Sequence, residues 1–244
     1  RQLLAVVGVT VASHVTEIGG VGVDPAAIRA EDIGVTNSSD LNCCDPSAEE
    51  RIKARIDEAK AAGDTLGGVF EIVVRDLPIG LGSHTQWDRR LDGKLAGALM
   101  SIQAIKGVEI GAGFACAHLP GSAIHDEIYM GEDGQPYRRT NRAGGLEGGM
   151  TNGEPLVVRA AMKPIPTLMA PLKTVDLATG KEVSASKERS DVCAVPAASV
   201  VGEAMVSYVL ADALCSQFHA DSMTDLRASL AAYRARLEQR WGTP

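Results

Sequence analysis

Five glycines fall within "NRAGGLEGGMTNGEP", Asn141 to Pro155: Gly144, Gly145, Gly148, Gly149 and Gly153. A glycine gives up more backbone freedom on folding than any other residue. A chain bears that cost where it needs positive φ or a close approach of backbone. The stretch does not show the GxGxxG spacing after a strand, nor a Walker-type phosphate loop, so the usual dinucleotide and P-loop readings fail. Two readings stay open on the residues alone. Small residues in a row let backbone N–H groups converge on an anion or a flat ring, or they allow a loop to be squeezed between packed elements.

The flanking sequence alternates between strand and helix patterns. "VTVASHVTEIG" (Val9–Gly19) and "GGVFEIVVRDLP" (Gly67–Pro78) read as strands. "DPSAEERIKARIDEAKAAG" reads as a helix with Ser47 as its cap, Ile52, Ile56 and Ala59 on one face, and Gly63 at its stop. "DRRLDGKLAGALMSIQAIKG" reads as a second helix, capped by Asp88 and running almost to Gly107, with "GVEIGAGFACAHL" as a strand after it. Residues 122–137 are polar and turn-rich and are expected to form a mobile loop. "PLVVRAAMKPI" is a strand, "KTVDLATGKEVSA" a hairpin, and helices close the chain over Ala197–Phe218 and Ser222–Trp241. The pattern predicts an α+β sandwich in a single domain over residues 1–244, with helices outside the sheets. The chain starts at Arg1, and "RQLLAVVGVTV" reads as a helix tail entering a strand, as in the middle of a protein.

Composition narrows the partners. Aromatics make up 4% of 244 residues, so the core must be built from Ala, Val, Leu and Ile. A net charge of −7 argues against nucleic acid, which needs a basic surface, but leaves room for a local basic pocket. No run reads as long enough and apolar enough to span a membrane, and none as a signal peptide. Five cysteines, an odd number without metal-ligand spacing, read as reduced thiols of a cytoplasmic protein, and no metal site is expected.

Few residues carry chemistry singly. Lys163 and Thr167 in "AMKPIPT" are suited to holding a phosphate, although a lone lysine at a strand end is more often only solvated. Arg189, Ser190 and Asp191 in "ERSDVCAVP" precede a helix, where an anion is favoured, but where a cap and a surface salt bridge would look the same. None of the five histidines pairs at metal-ligand spacing.

Taken together and in order, the segments resemble the chorismate synthase family. "GSHTQWDRRLDGKLAGALMSIQAIKGVEIG", "RRTNRAGGLEGGMTNGEPLVVRAAMKPIPT" and "RSDVCAVPAASVVGEAM" match its long motifs, and the resemblance runs from about Arg1 to about Arg236. It implies the family's sandwich of two antiparallel sheets with surrounding helices, in a homotetramer. It also implies the family's reaction, loss of phosphate and a ring proton from 5-enolpyruvylshikimate 3-phosphate to give chorismate. That reaction needs reduced FMN, with NADPH serving only indirectly to reduce the flavin.

By the same resemblance Gln103, Ala104 and Gly148 lie near the flavin, and Lys163, Pro164, Ile165, Pro166 and Thr167 hold its phosphate end. Arg189 reaches flavin or substrate, with Arg139 or Arg142 adding to the positive pocket, and Asp191 sits near flavin N5 and assists removal of the substrate proton. The glycines are expected to let backbone pack against FMN and neighbouring subunits. The family's opening strand, its two catalytic histidines and several phosphate ligands have no counterpart here. This chain alone is therefore expected to be inactive, the alternative role being a non-catalytic FMN-binding or assembly fragment.

Overall fold

The computed structural model describes every residue except 25–27, 29–32, 34–38, 133 and 242–244, and describes Trp241 by its backbone alone. A short helix α1 (Gln2–Val6) leads into β1 (Thr10–Ile18) and its edge partner β2 (Val21–Gly22), followed by α2 (Pro46–Ala62) and β3 (Gly68–Arg75). Then come α3 (Leu91–Met100), β4 (Ile105–Ile110), α4 (Gly121–Ile124), the short strands β5 (Ile128–Met130), β6 (Pro136–Arg138), β7 (Leu146–Glu147) and β8 (Met150–Thr151), and the longer β9 (Leu156–Met162). The hairpin β10 (Lys173–Val175) and β11 (Glu182–Ser184) precedes the long helices α5 (Val195–Phe218) and α6 (Met223–Trp241).

The main sheet has the order β2-β1-β3-β9-β4 and its pairings are antiparallel. Alternation along the strands sends Val11, Val15, Phe70, Ile72, Val74, Leu156, Val158 and Ala160 into the core under α5 and α3. Full burial of each larger side chain there contributes roughly 1.5–3 kcal/mol. Gly202 lets α5 settle on the sheet: a Cβ there would lie 2.6 Å from Phe70 Cε2. On the opposite face, cross-strand register aligns His14, Glu71, Arg159 and Glu109 in one row, with His14 Nε2 3.3 Å from Glu71 Oε1 and Arg159 Nη2 3.3 Å from Glu109 Oε2.

Several expectations need correction. The cap of α2 is Asp45, whose carboxylate accepts from the Ser47 amide at 2.9 Å; Gly63, at φ 70°, ends the helix as expected. Helix α3 ends at Met100, well short of Gly107, and β4 ends at Ile110 before a 3-10 segment over Gly113–His118. Asp88 lies in a separate turn; the α3 amide of Leu91 is satisfied instead by the Gly149 carbonyl at 2.9 Å. Residues 122–137 carry part of α4 and the β5–β6 hairpin, and Asp126 ties them to the amides of Arg142 and Ala143. Helix α5 is long and apolar enough to cross a membrane by those measures alone, with mean hydropathy 1.4 over its most apolar stretch, but 56% of that stretch is buried in the molecule. It is a core helix.

The glycine segment also departs from expectation. All five glycines have positive φ, and four of them face this chain's own atoms. A Cβ on Gly144 would lie 2.3 Å from Gly111 N, on Gly145 2.6 Å from Pro155 O, on Gly149 2.7 Å from Ser83 O, and on Gly153 2.9 Å from Ile79 Cγ1. Gly148, at φ 61°, has nothing within 4 Å. Their density is explained mainly by packing within the chain.

Candidate functional site

One end of the sheet gathers three segments far apart in sequence. After β9 the chain continues as Lys163 to Thr167, and the Lys163 amide donates to the Ala104 carbonyl at 2.9 Å. Ala104 sits in the left-handed region at φ 66°, a conformation that costs a non-glycine residue about 1–2 kcal/mol. It turns the chain from the end of α3 into β4 and brings Gln103 and Ala104 beside the Lys163 strand end. Pro164 and Pro166 have no amide to donate and keep this segment extended. The Thr65 hydroxyl donates to Ile165 O at 2.6 Å, and the Ser190 hydroxyl donates to Thr167 O at 3.0 Å.

The third segment, 189–193, is fixed from below. Leu66 N donates to Val192 O at 2.8 Å, and Leu66 forms a parallel bridge with Cys193. Next to it, Gly67 lets the end of β9 pass close by, because a Cβ there would lie 2.3 Å from Met162 O and 2.9 Å from Pro164 N. Two residues beyond Cys193, α5 begins without a side-chain cap, so its N-terminal N–H groups add positive potential near Arg189 and Asp191.

The chemistry of this end follows from exposure. Lys163, Arg189 and Asp191 are exposed, and among the described residues none is in an ion pair. Two cations on segments that meet at Leu66 and Gly67 suit an anionic group such as a phosphate, and the extended Lys163–Thr167 backbone offers a rim for it. The donor set therefore fits a phosphate-bearing ligand. These three side chains face solvent. A cavity of about 450 Å³ lies elsewhere, lined in part by Leu77, Pro78, Ile79 and Arg234, and includes none of these residues.

The structure does not gather every expected residue. Gly148 lies in the β7–β8 hairpin next to the start of β9, about 20 Å of strand away from Lys163. Arg139 stacks over the Tyr129 ring at 4.0 Å, and the Arg142 amide binds Asp126, so both belong to that far end as well. His84 and His125 are exposed in loops away from the cluster. His14 is buried on the outer sheet face, with Nδ1 3.0 Å from Cys44 Sγ. Thr65 and Gly67, which hold the cluster together, carried no signal beyond the "TLGG" run itself.

Comparison with known proteins gives one answer. Residues 1–215 match the sequence profile of a family described as Chorismate synthase. The chain is 52% identical over 240 residues to a chorismate synthase of Brevibacillus brevis, covering 98% of this chain and 62% of that protein. It is 55% identical over 245 residues to one of Trichlorobacter lovleyi, covering 97% and 62%. A solved structure titled "Crystal Structure of Chorismate Synthase" superimposes with a TM-score of 0.82 at 42% identity, covering 97% of this chain and 66% of that one. The chain thus spans about three fifths of the length of the curated relatives it matches.

Proposed function

The chain belongs to the chorismate synthase family, and from that premise we propose that the protein it forms part of converts 5-enolpyruvylshikimate 3-phosphate to chorismate, a step of aromatic amino-acid biosynthesis. The reaction is a carbon–oxygen lyase step that expels phosphate and removes a ring proton. The supporting observation is the convergence at one sheet end of Ala104, Lys163 and the Thr167–Ser190 contact, with Lys163 and Arg189 exposed and, among the described residues, in no ion pair.

In this reading Lys163 and Arg189 hold the phosphates of FMN and substrate by charge, and the backbone from Pro164 to Thr167 frames the cofactor's phosphate end. Gln103 and Ala104 border the ring. Reduced FMN, when bound, supplies electron density that eases loss of phosphate and ends the cycle unchanged; NADPH acts only to reduce it. Asp191 assists removal of the substrate's ring proton. Gly148, at the other end of the sheet, reaches a flavin only from a second subunit, in keeping with a homotetramer. The protein acts in the cytoplasm.

This chain alone is proposed to be inactive. The cluster's charged side chains are exposed to water, and none of the segments that form it carries a histidine to donate a proton. The same exposure favours the second reading for the isolated chain, a flavin-binding piece without turnover. The test is anaerobic conversion of the enolpyruvyl substrate with chemically reduced FMN. Chorismate is expected when the chain is completed to its relatives' full length. No product from the completed protein would overturn the proposal.

A further inference from the structure

Resting on the flavin-phosphate reading above, we propose that Thr65 is a positioning residue for the anion-holding segment, with Ser190 as its second anchor. Thr65 is 6% exposed and sits between the end of α2 and the start of β3. A buried hydroxyl must find a partner or lose the free energy of its desolvation. Here the partner is the Ile165 carbonyl, at 2.6 Å. The Thr65 amide is in turn fixed by the Asp64 carboxylate at 2.8 Å.

The geometry makes these hydroxyls more than packing. Between Lys163 and Thr167 two of five residues are prolines without an amide, so the segment cannot be held by a strand ladder. Among the described residues, its carbonyls at Ile165 and Thr167 are held by two side-chain hydroxyls, Thr65 and Ser190. The neighbouring Leu66 amide holds Val192 O at 2.8 Å, so the short run Asp64–Gly67 touches both cationic segments at once. It fixes the segment that carries Lys163 relative to the one that carries Arg189. A clamp of this kind sets how well two cations meet one phosphate.

The test is an equilibrium titration of FMN against the chain and its Thr65→Val, Thr65→Ser and Lys163→Ala variants, with melting temperature and amide hydrogen exchange of residues 163–168 measured without flavin. Thr65→Val keeps the shape and removes the donor. It is expected to weaken FMN by about three- to tenfold and to speed exchange in 163–168, while Thr65→Ser restores both. A purely structural role would lower the melting temperature and leave the affinity of the folded fraction unchanged, and that result overturns the proposal. If Lys163→Ala loses FMN while Thr65→Val binds normally, the flavin reading stands and the clamp falls. If neither variant changes affinity, the flavin reading itself falls. Should Thr65→Val not fold, Ser190→Ala carries the same comparison: weaker FMN with faster exchange supports the clamp, and unchanged values overturn it.

Discussion

The amide of Lys163 donates to the carbonyl of Ala104 across 2.9 Å, so the residue that leaves β9 and the residue that enters β4 share one hydrogen bond. Ala104 accepts it from the left-handed region, at φ 66°. That bond places the two sequence segments most expected to border a flavin side by side. The rest of the sheet end, Thr65 to Gly67 below and Ser190 to Cys193 beside it, is assembled around that junction.

The seat of α5 depends on Gly202. A Cβ there would meet the buried Phe70 ring at 2.6 Å and Ile72 Cδ1 at 3.0 Å. Gly202→Ala gains about 1 kcal/mol of helix propensity but overpacks a closed core at a cost of roughly 1–3 kcal/mol. Urea unfolding should show net destabilisation, larger again for Gly202→Val. A more stable Gly202→Ala would mean the helix–sheet contact is looser than described.

Gly144 and Gly148 separate two uses of one glycine run. Gly144→Ala drives a Cβ to 2.3 Å from Gly111 N on top of a positive φ, and should cost about 3 kcal/mol or more. Gly148→Ala meets only open space, so its left-handed φ alone should cost about 1–2 kcal/mol. Equal losses for the two variants in denaturant titrations would contradict the packing explanation.

Asp126 gives the molecule a pH-dependent term. Burial pushes its carboxyl up, but the Ala143 amide, the Thr140 hydroxyl, the Arg142 amide and the Arg142 charge together hold it below the usual carboxylate value. A depressed folded-state value means its stabilisation is complete above the ordinary value of about pH 4 and is lost as pH falls through the folded one. Asp126→Asn should therefore cost about 1–2 kcal/mol at pH 7 and progressively less below pH 4. A gap between variant and parent that stays constant from pH 7 to pH 3 would show that the charge is not what matters.

Much of this fold was legible because periodicity and long motifs agree. The alternation in Val9–Gly19 and the spacing of Ile52 and Ala59 correspond to β1 and α2, and the helices at the end begin and stop within a few residues of their expected bounds. The failures have local causes. "SIQAI" has no residue that signals a left-handed turn, so nothing marked Ala104 as the turn between α3 and β4. Asp45 and Ser47 are both good caps, and the choice between them is made by backbone geometry. The glycine run carries no mark distinguishing the four that face their own chain from Gly148. The link from Thr65 to Ile165 crosses from the start of one strand to the end of another, a contact that tertiary structure alone creates.

The most direct test of the site is an equilibrium titration of FMN against this 244-residue chain and a Lys163→Ala/Arg189→Ala double variant, with inorganic phosphate as competitor. Both side chains are exposed and, among the described residues, in no ion pair, so the substitutions should leave the melting temperature unchanged. Charged hydrogen bonds to a phosphate are worth about 1.5–3 kcal/mol each. The account predicts saturable binding preferred over inorganic phosphate, with affinity falling at least about tenfold in the double variant. Binding of equal strength in the two proteins would contradict it, and would move the flavin away from this end of the sheet.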